Sequence, residues 1–168
     1  MIVIRNERPK NREHFSRLFA FCQEVVAVCH DLDITPILTG SLAVFGYTRN
    51  QAMSVDDIDL ACSELEFPKL SLALASNGIA HEVKIWHVLQ ARKDGLKVEF
   101  DSIEHWMTDL PEDYDTLVID GYAFKVVSVS SLKELYRRGL EAVADQSDEI
   151  SRAKHAALTE KYALLCSV

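Results

Sequence analysis

Asp57 and Asp59, in the stretch Ser54-Val55-Asp56-Asp57-Ile58-Asp59-Leu60, are the side chains whose type and spacing speak most directly of chemistry. Side chains alternate between the two faces of a strand, so on a strand these two carboxylates share one face and Ile58 and Leu60 the other. Like charges about 4 Å apart repel by about 4 kcal/mol at an effective dielectric of about 20, so the pair adds no stability by itself. A cation explains it. Mg²⁺ takes oxygen ligands and is commonly held by one or two carboxylates together with the phosphates of a substrate. A calcium-loop reading fails, because Leu60, Ala61 and Cys62 stand where that loop needs oxygen ligands and glycine.

Phosphates also need donors, and Thr39-Gly40-Ser41 offers them where a short strand turns into a helix. Glycine lets the backbone approach closely, the helix N-terminus presents unpaired N–H groups, and Ser41 adds a hydroxyl. The same dipeptide is also a common helix cap, so it gains meaning only beside the aspartates. A third carboxylate is expected from Lys97-Val98-Glu99-Phe100-Asp101, a strand on which Glu99 and Asp101 share the face opposite Val98 and Phe100. Glu99 is the first choice and Asp101 the close second. Either can accept a proton from an attacking hydroxyl or bind a second metal ion. Arg49, Lys133, Arg137 and Lys154 are the cationic candidates for the triphosphate. Lys133 and Arg137 lie four apart on one helix face, a pattern that a solvated face also produces. His81 and His87 share a strand face but lack a third metal ligand, and Trp86 and Trp106 read as packing residues.

These residues need a frame. Apolar steps of three and four over 11–30 mark an amphipathic helix that covers a sheet. A strand at 35–38, a helix from Gly40, a strand at 57–62 and a helix at 67–76 ending in Asn77-Gly78 follow. A strand at 80–90 and another at 96–103 are joined at Asp94-Gly95, and a second hairpin turns at Asp120-Gly121. Ser131-x-x-Glu134 offers a capping box for a helix, and the chain from about 147 is helical. The order predicts an α+β fold, a mixed β-sheet with flanking helices and C-terminal helices.

The 168 residues, 48% hydrophobic and 26% charged, suit one domain over 1–168, its motif core at about 35–103 and its helical part at about 130–168. The formal charge of -8 argues against broad nucleic-acid binding, which needs a basic surface. No apolar run approaches a membrane span, and Met1 to Lys10 does not read as a signal peptide. Cys22, Cys29, Cys62 and Cys166 have no zinc-ligand spacing and read as reduced, mostly buried thiols of a cytoplasmic protein.

Strand, Gly-Ser at a helix start, Asp-x-Asp on the next strand and an acidic residue on a later strand together resemble the DNA polymerase β-type nucleotidyltransferase superfamily. The likeness rests on Gly40, Ser41, Asp57, Asp59 and Glu99 and covers 35–103 with motifs. It is most similar to small bacterial and archaeal members, including aminoglycoside- and lincosamide-type enzymes and abortive-infection toxins. The resemblance implies transfer of a nucleoside monophosphate from a nucleoside triphosphate such as ATP to an acceptor hydroxyl, with two Mg²⁺ ions possible. Asp57 and Asp59 would hold metal, Gly40 and Ser41 the triphosphate, and Glu99, where the family more often has Asp, the acceptor side. The acceptor is left open between a small molecule, a protein and an RNA end. Two alternatives stand beside this reading: a module of the same fold that binds nucleotide without turnover, and an RNA-modifying toxin, which the acidic charge disfavours.

Overall fold

The helical periodicity at the start of the chain becomes α1 (Arg12–Asp31), which buries Phe15, Leu18, Cys22, Val25, Val26 and Cys29 against the sheet. The computed structural model describes residues 1–168. Its strands are β1 (Ile2–Ile4), β2 (Ile37–Thr39), β3 (Ile58–Cys62), β4 (Ala80–Lys84), β5 (Val88–Lys93), β6 (Leu96–Ser102), β7 (Tyr114–Ile119) and β8 (Tyr122–Val127). The other helices are α2 (Gly40–Thr48), α3 (Phe67–Ser76), α4 (Ile103–Trp106), α5 (Val129–Val143) and α6 (Glu149–Cys166). The α+β expectation holds.

All strands join one eight-stranded mixed sheet in the order β1-β7-β8-β2-β3-β6-β5-β4. Strand β3 runs antiparallel to β2 and parallel to β6. That placement sets Thr39 opposite Asp59, Asp59 opposite Glu99 and Ala61 opposite Asp101. Alternation does the rest: Ile58 and Leu60 are fully buried, and so are Val98 and Phe100, while the acidic residues between them stay partly exposed. Helices α5 and α6 pack on each other and on α2.

Three local expectations change. The strand expected over 80–90 is two strands, β4 and β5, reversing at Ile85-Trp86-His87 with His87 at φ 62. The N-cap of α5 is Ser128, whose hydroxyl accepts from the Ser131 N–H, while Glu134 pairs with Arg137 and Arg138 instead of closing a capping box. The chain also adds β1, which pairs in parallel with β7. Cys22, Cys29 and Cys62 are buried free thiols and Cys166 is exposed. No helix is long and apolar enough to cross a membrane.

Candidate active site

Strand β2 enters α2 through Gly40, whose φ of 64 lies in the left-handed region that glycine tolerates. A Cβ at this position would stand 2.1 Å from Asp59 Oδ2 and 2.8 Å from Asp59 Cβ. The Gly40 backbone therefore lies directly against the Asp59 side chain, and only glycine meets both demands. No side chain caps α2 at Thr39, so its first-turn N–H groups keep their capacity to bind an anion.

Asp57 sits at the lip of β3, one residue before the strand, with Asp59 two residues further on. All four candidate carboxyls have pKa values raised above the ordinary range. Burial is the leading cause at each, and for Asp59 the charges of Asp101, Glu99 and Asp57 add to it. Asp101 is pushed up further by Glu99, and Glu99 by Asp57. Gln90, opposite Glu99 on β5, and Lys97 draw Glu99 part of the way back. Lys97, His14 and Lys161 oppose the rise at Asp57. None of the ion pairs in the structure involves these four residues. No direct ion pair offsets their charge beside the uncapped helix N-terminus.

Asp59, Glu99, Asp101, Gly40 and Thr39 line one wall of a cavity of about 570 Å³. Leu132, Leu135, Tyr136 and Arg138 of α5 line another, with Lys154 and Leu158 of α6. Trp86, His105 and Trp106 stand at its side; both indoles are about half exposed, and Trp106 Nε1 donates to the Trp86 carbonyl at 3.0 Å. The tryptophans are therefore not packing residues of the core. A second cavity of about 280 Å³ is lined by Lys10, Ser54, Asp56 and Lys161 among others. Asp56 lines the second cavity and Asp59 the first, with Asp57 between them along the chain.

The remaining candidates divide. Ser41 lies in the first turn of α2, where its influence on the buried Tyr136 opposes the rise that burial and Asp59 cause. Arg49 lies beyond the far end of α2, about 13 Å from Gly40 at 1.5 Å per residue. There its guanidinium meets Glu7 at 3.1 Å and the Val3 carbonyl at 3.0 Å, so Arg49 ties α2 to β1 and does not join the carboxylates. Lys133 does not line the cavity, and Arg137 is held by Glu134 and Glu141 on an exposed face. Lys154 does line it. Arg138, Lys161 and Lys10 were not read from the sequence as site residues. A signal existed for Lys161: it lies seven residues, two helical turns, after Lys154 and so on nearly the same face of α6.

At the level of sequence no protein-family model matches the chain, and no curated protein matches it. Solved structures do. The solution structure of the antibiotic-resistance factor ANT(2'')-Ia superposes with a TM-score of 0.67 at 16% identity, covering 92% of this chain and 84% of that one. The crystal structure of ANT(2'')-Ia in complex with adenylyl-2''-tobramycin gives 0.64 at 14%, covering 90% and 88%. An antigenic nucleotidyltransferase-like protein from Paracoccidioides brasiliensis gives 0.57 at 15%, covering 94% and 77%. The fold is that of the nucleotidyltransferases. In this nucleotidyltransferase fold the carboxylates offer an all-oxygen donor set suited to a hard divalent cation. No three His, Cys, Asp or Glu side chains stand ready as a closed metal cage, so a cation would have to draw the carboxylates together, with a substrate's oxygens completing its shell.

Proposed function

We propose that the chain is a Mg²⁺-dependent nucleotidyltransferase that moves a nucleoside monophosphate from a nucleoside triphosphate to an acceptor hydroxyl. The observation that carries this reading is the gathering of Asp59, Glu99 and Asp101, none with an ion-pair partner, in the cavity beside Gly40, with Asp57 two residues before Asp59 at the lip of β3. Asp57, Asp59 and Glu99 are the residues that would hold metal. The direct pairing of Asp59 with Glu99 across β3 and β6, and the charge of Asp57 acting on Glu99, support Glu99 over Asp101 as the third ligand. Bound Mg²⁺ would neutralise phosphate charge and ease loss of the hydroxyl proton.

The chain's own groups then have distinct tasks. The N–H groups at the start of α2 and the Ser41 hydroxyl orient the phosphates, and Lys10, Ser54 and Lys161 receive the outer two in the smaller cavity. The acceptor oxygen forms a bond to the α-phosphorus while the bond to the bridging oxygen breaks, and pyrophosphate leaves in line. Asp101 lies on the acceptor side and takes the hydroxyl proton. Trp86 and Trp106 flank the acceptor, in keeping with their exposure beside the larger cavity. A small-molecule acceptor is favoured by that cavity's size, which falls in the range for small-ligand sites. We read all 168 residues as one working unit, supported by a continuous core that runs from Ile4 to Leu165. Free, buried cysteines agree with a reducing, cytoplasmic setting.

Calorimetric titration with each nucleoside triphosphate, with and without Mg²⁺, tests the site. The wild type is expected to bind only with Mg²⁺, and the Asp57→Asn, Asp59→Asn double variant to lose that binding while keeping its fold by circular dichroism. Equal binding by both proteins removes the aspartates from the site. Binding without pyrophosphate release, across a panel of hydroxyl acceptors, favours the module that holds nucleotide without turnover.

A further inference from the structure

Strand β4 ends the sheet with β5 as its only neighbour, so alternate backbone N–H and C=O groups along it face outward without a strand partner. At the opposite edge, Arg49 covers the Val3 carbonyl of β1. The β4 edge instead exposes apolar side chains among its charged ones. Val83 is 52% exposed and Ile85, just past the strand, 93%. With Leu65, Leu72, Trp86 and Trp106 they make six of the nine exposed large hydrophobic residues of the chain. These six belong to neighbouring elements: α3 packs against β4, and the Glu64 carboxylate, one residue before Leu65, holds His87 Nδ1 at 2.6 Å in the β4–β5 turn. Exposed apolar side chains gathered at one open edge mark an interaction surface.

We propose that the occupant of this edge is a second copy of the chain, paired antiparallel through β4 about a two-fold axis at Val83. The sequence Glu82-Val83-Lys84 is self-complementary in that register alone. An axis at Val83 sets each Glu82 opposite the other copy's Lys84, with His81 opposite Ile85. An axis at residue 82 sets glutamate against glutamate, and one at 84 lysine against lysine, both unfavourable for directly opposed residues. Within one chain Glu82 meets Lys84 at 2.9 Å and Arg92 of β5 at 3.1 Å, and in the pair the two charges exchange partners across the axis. The resulting isologous contact joins two eight-stranded sheets and covers Val83, Ile85 and Leu72 on both copies.

Sedimentation velocity over a concentration series tests the pairing. The wild type is expected to pass from monomer to dimer as concentration rises. Glu82→Lys and Lys84→Glu should each shift dissociation to at least about tenfold higher concentration, because each opposes like charges. An equimolar mixture of the two variants should dimerise again, since the chain rich in lysine meets the one rich in glutamate. Ile85→Asp, at a residue almost wholly outside the fold, should weaken the dimer with an unchanged circular dichroism spectrum. A wild type that stays monomeric at its highest soluble concentration overturns the proposal. So do single variants that dimerise as tightly as the wild type, or a mixture no more associated than its components.

Discussion

Gly40 links the backbone to the candidate chemistry, because its left-handed conformation and the absent Cβ both serve the close approach of Asp59. Gly78 provides a comparison within the same chain: its φ is 69, but a Cβ there would meet nothing within 4 Å. An alanine in the left-handed region costs about 1–2 kcal/mol, which lowers the Tm of a protein of this size by about 2–8 °C. Gly78→Ala is expected to show that loss and bind nucleotide normally. Gly40→Ala should lose at least as much stability and also lose Mg²⁺-dependent nucleotide binding, since the new methyl displaces the Asp59 carboxylate. Thermal melts beside calorimetry separate the two effects. Nucleotide binding by Gly40→Ala at wild-type strength would show that the position of Asp59 is irrelevant to the ligand.

At the scale of elements, α6 brings Lys161 to the carboxylates from the far end of the sequence. Its field reaches both Asp57 and Asp59, and it lines the smaller cavity with Lys10. A charged hydrogen bond to phosphate contributes about 1.5–3 kcal/mol, so Lys161→Ala should weaken triphosphate binding roughly ten- to a hundredfold. Nucleoside monophosphate, which lacks the outer phosphates, should bind the variant and the wild type alike. Arg137→Ala, on the exposed face of α5, should change neither affinity. An equal loss for mono- and triphosphate would place Lys161 elsewhere than the phosphate tail. The same contrast shows what could be read from sequence. The strand bearing Asp59, the Gly40 turn and the hairpins at Asp94-Gly95 and Asp120-Gly121 follow local rules of alternation and positive φ, and the structure carries each, with Asp57 one residue short of the strand expected to hold it. The turn at Ile85-Trp86-His87 was hidden because its left-handed residue is a histidine, not a glycine or asparagine. Strand β1 has only three residues and depends on β7, more than a hundred positions away. Arg49 carries the charge expected of a phosphate ligand, but its capture by Glu7 and the Val3 carbonyl comes from tertiary packing that no local pattern records.

Across the whole molecule, the titrating carboxyls fall into two groups with opposite effects on stability. Glu64, Glu82, Glu134 and Asp148 are held below their ordinary values, chiefly by side-chain hydrogen bonds. Their stabilisation is present above the unfolded pKa and is lost as pH falls below about 4.5. Asp57, Asp59, Glu99 and Asp101 are raised, mainly by burial. In these the folded state binds protons more tightly than the unfolded chain, so their contribution is fully present below about pH 4 and is lost as pH rises through the folded values. In chelator, the Tm should therefore decline from about pH 5 toward pH 8. A divalent cation that binds the ionised carboxylates should reverse this, raising the Tm more at pH 8 than at pH 5. The Asp59→Asn, Asp101→Asn double variant separates the cluster from every other titrating group, because it removes the two carboxyls that burial raises furthest. Its Tm should be flatter with pH, higher than that of the wild type at pH 8 in chelator, and less responsive to Mg²⁺. A double variant that keeps the wild-type slope and the wild-type response to Mg²⁺ would mean that the carboxylates beside Gly40 neither strain the fold nor hold the ion.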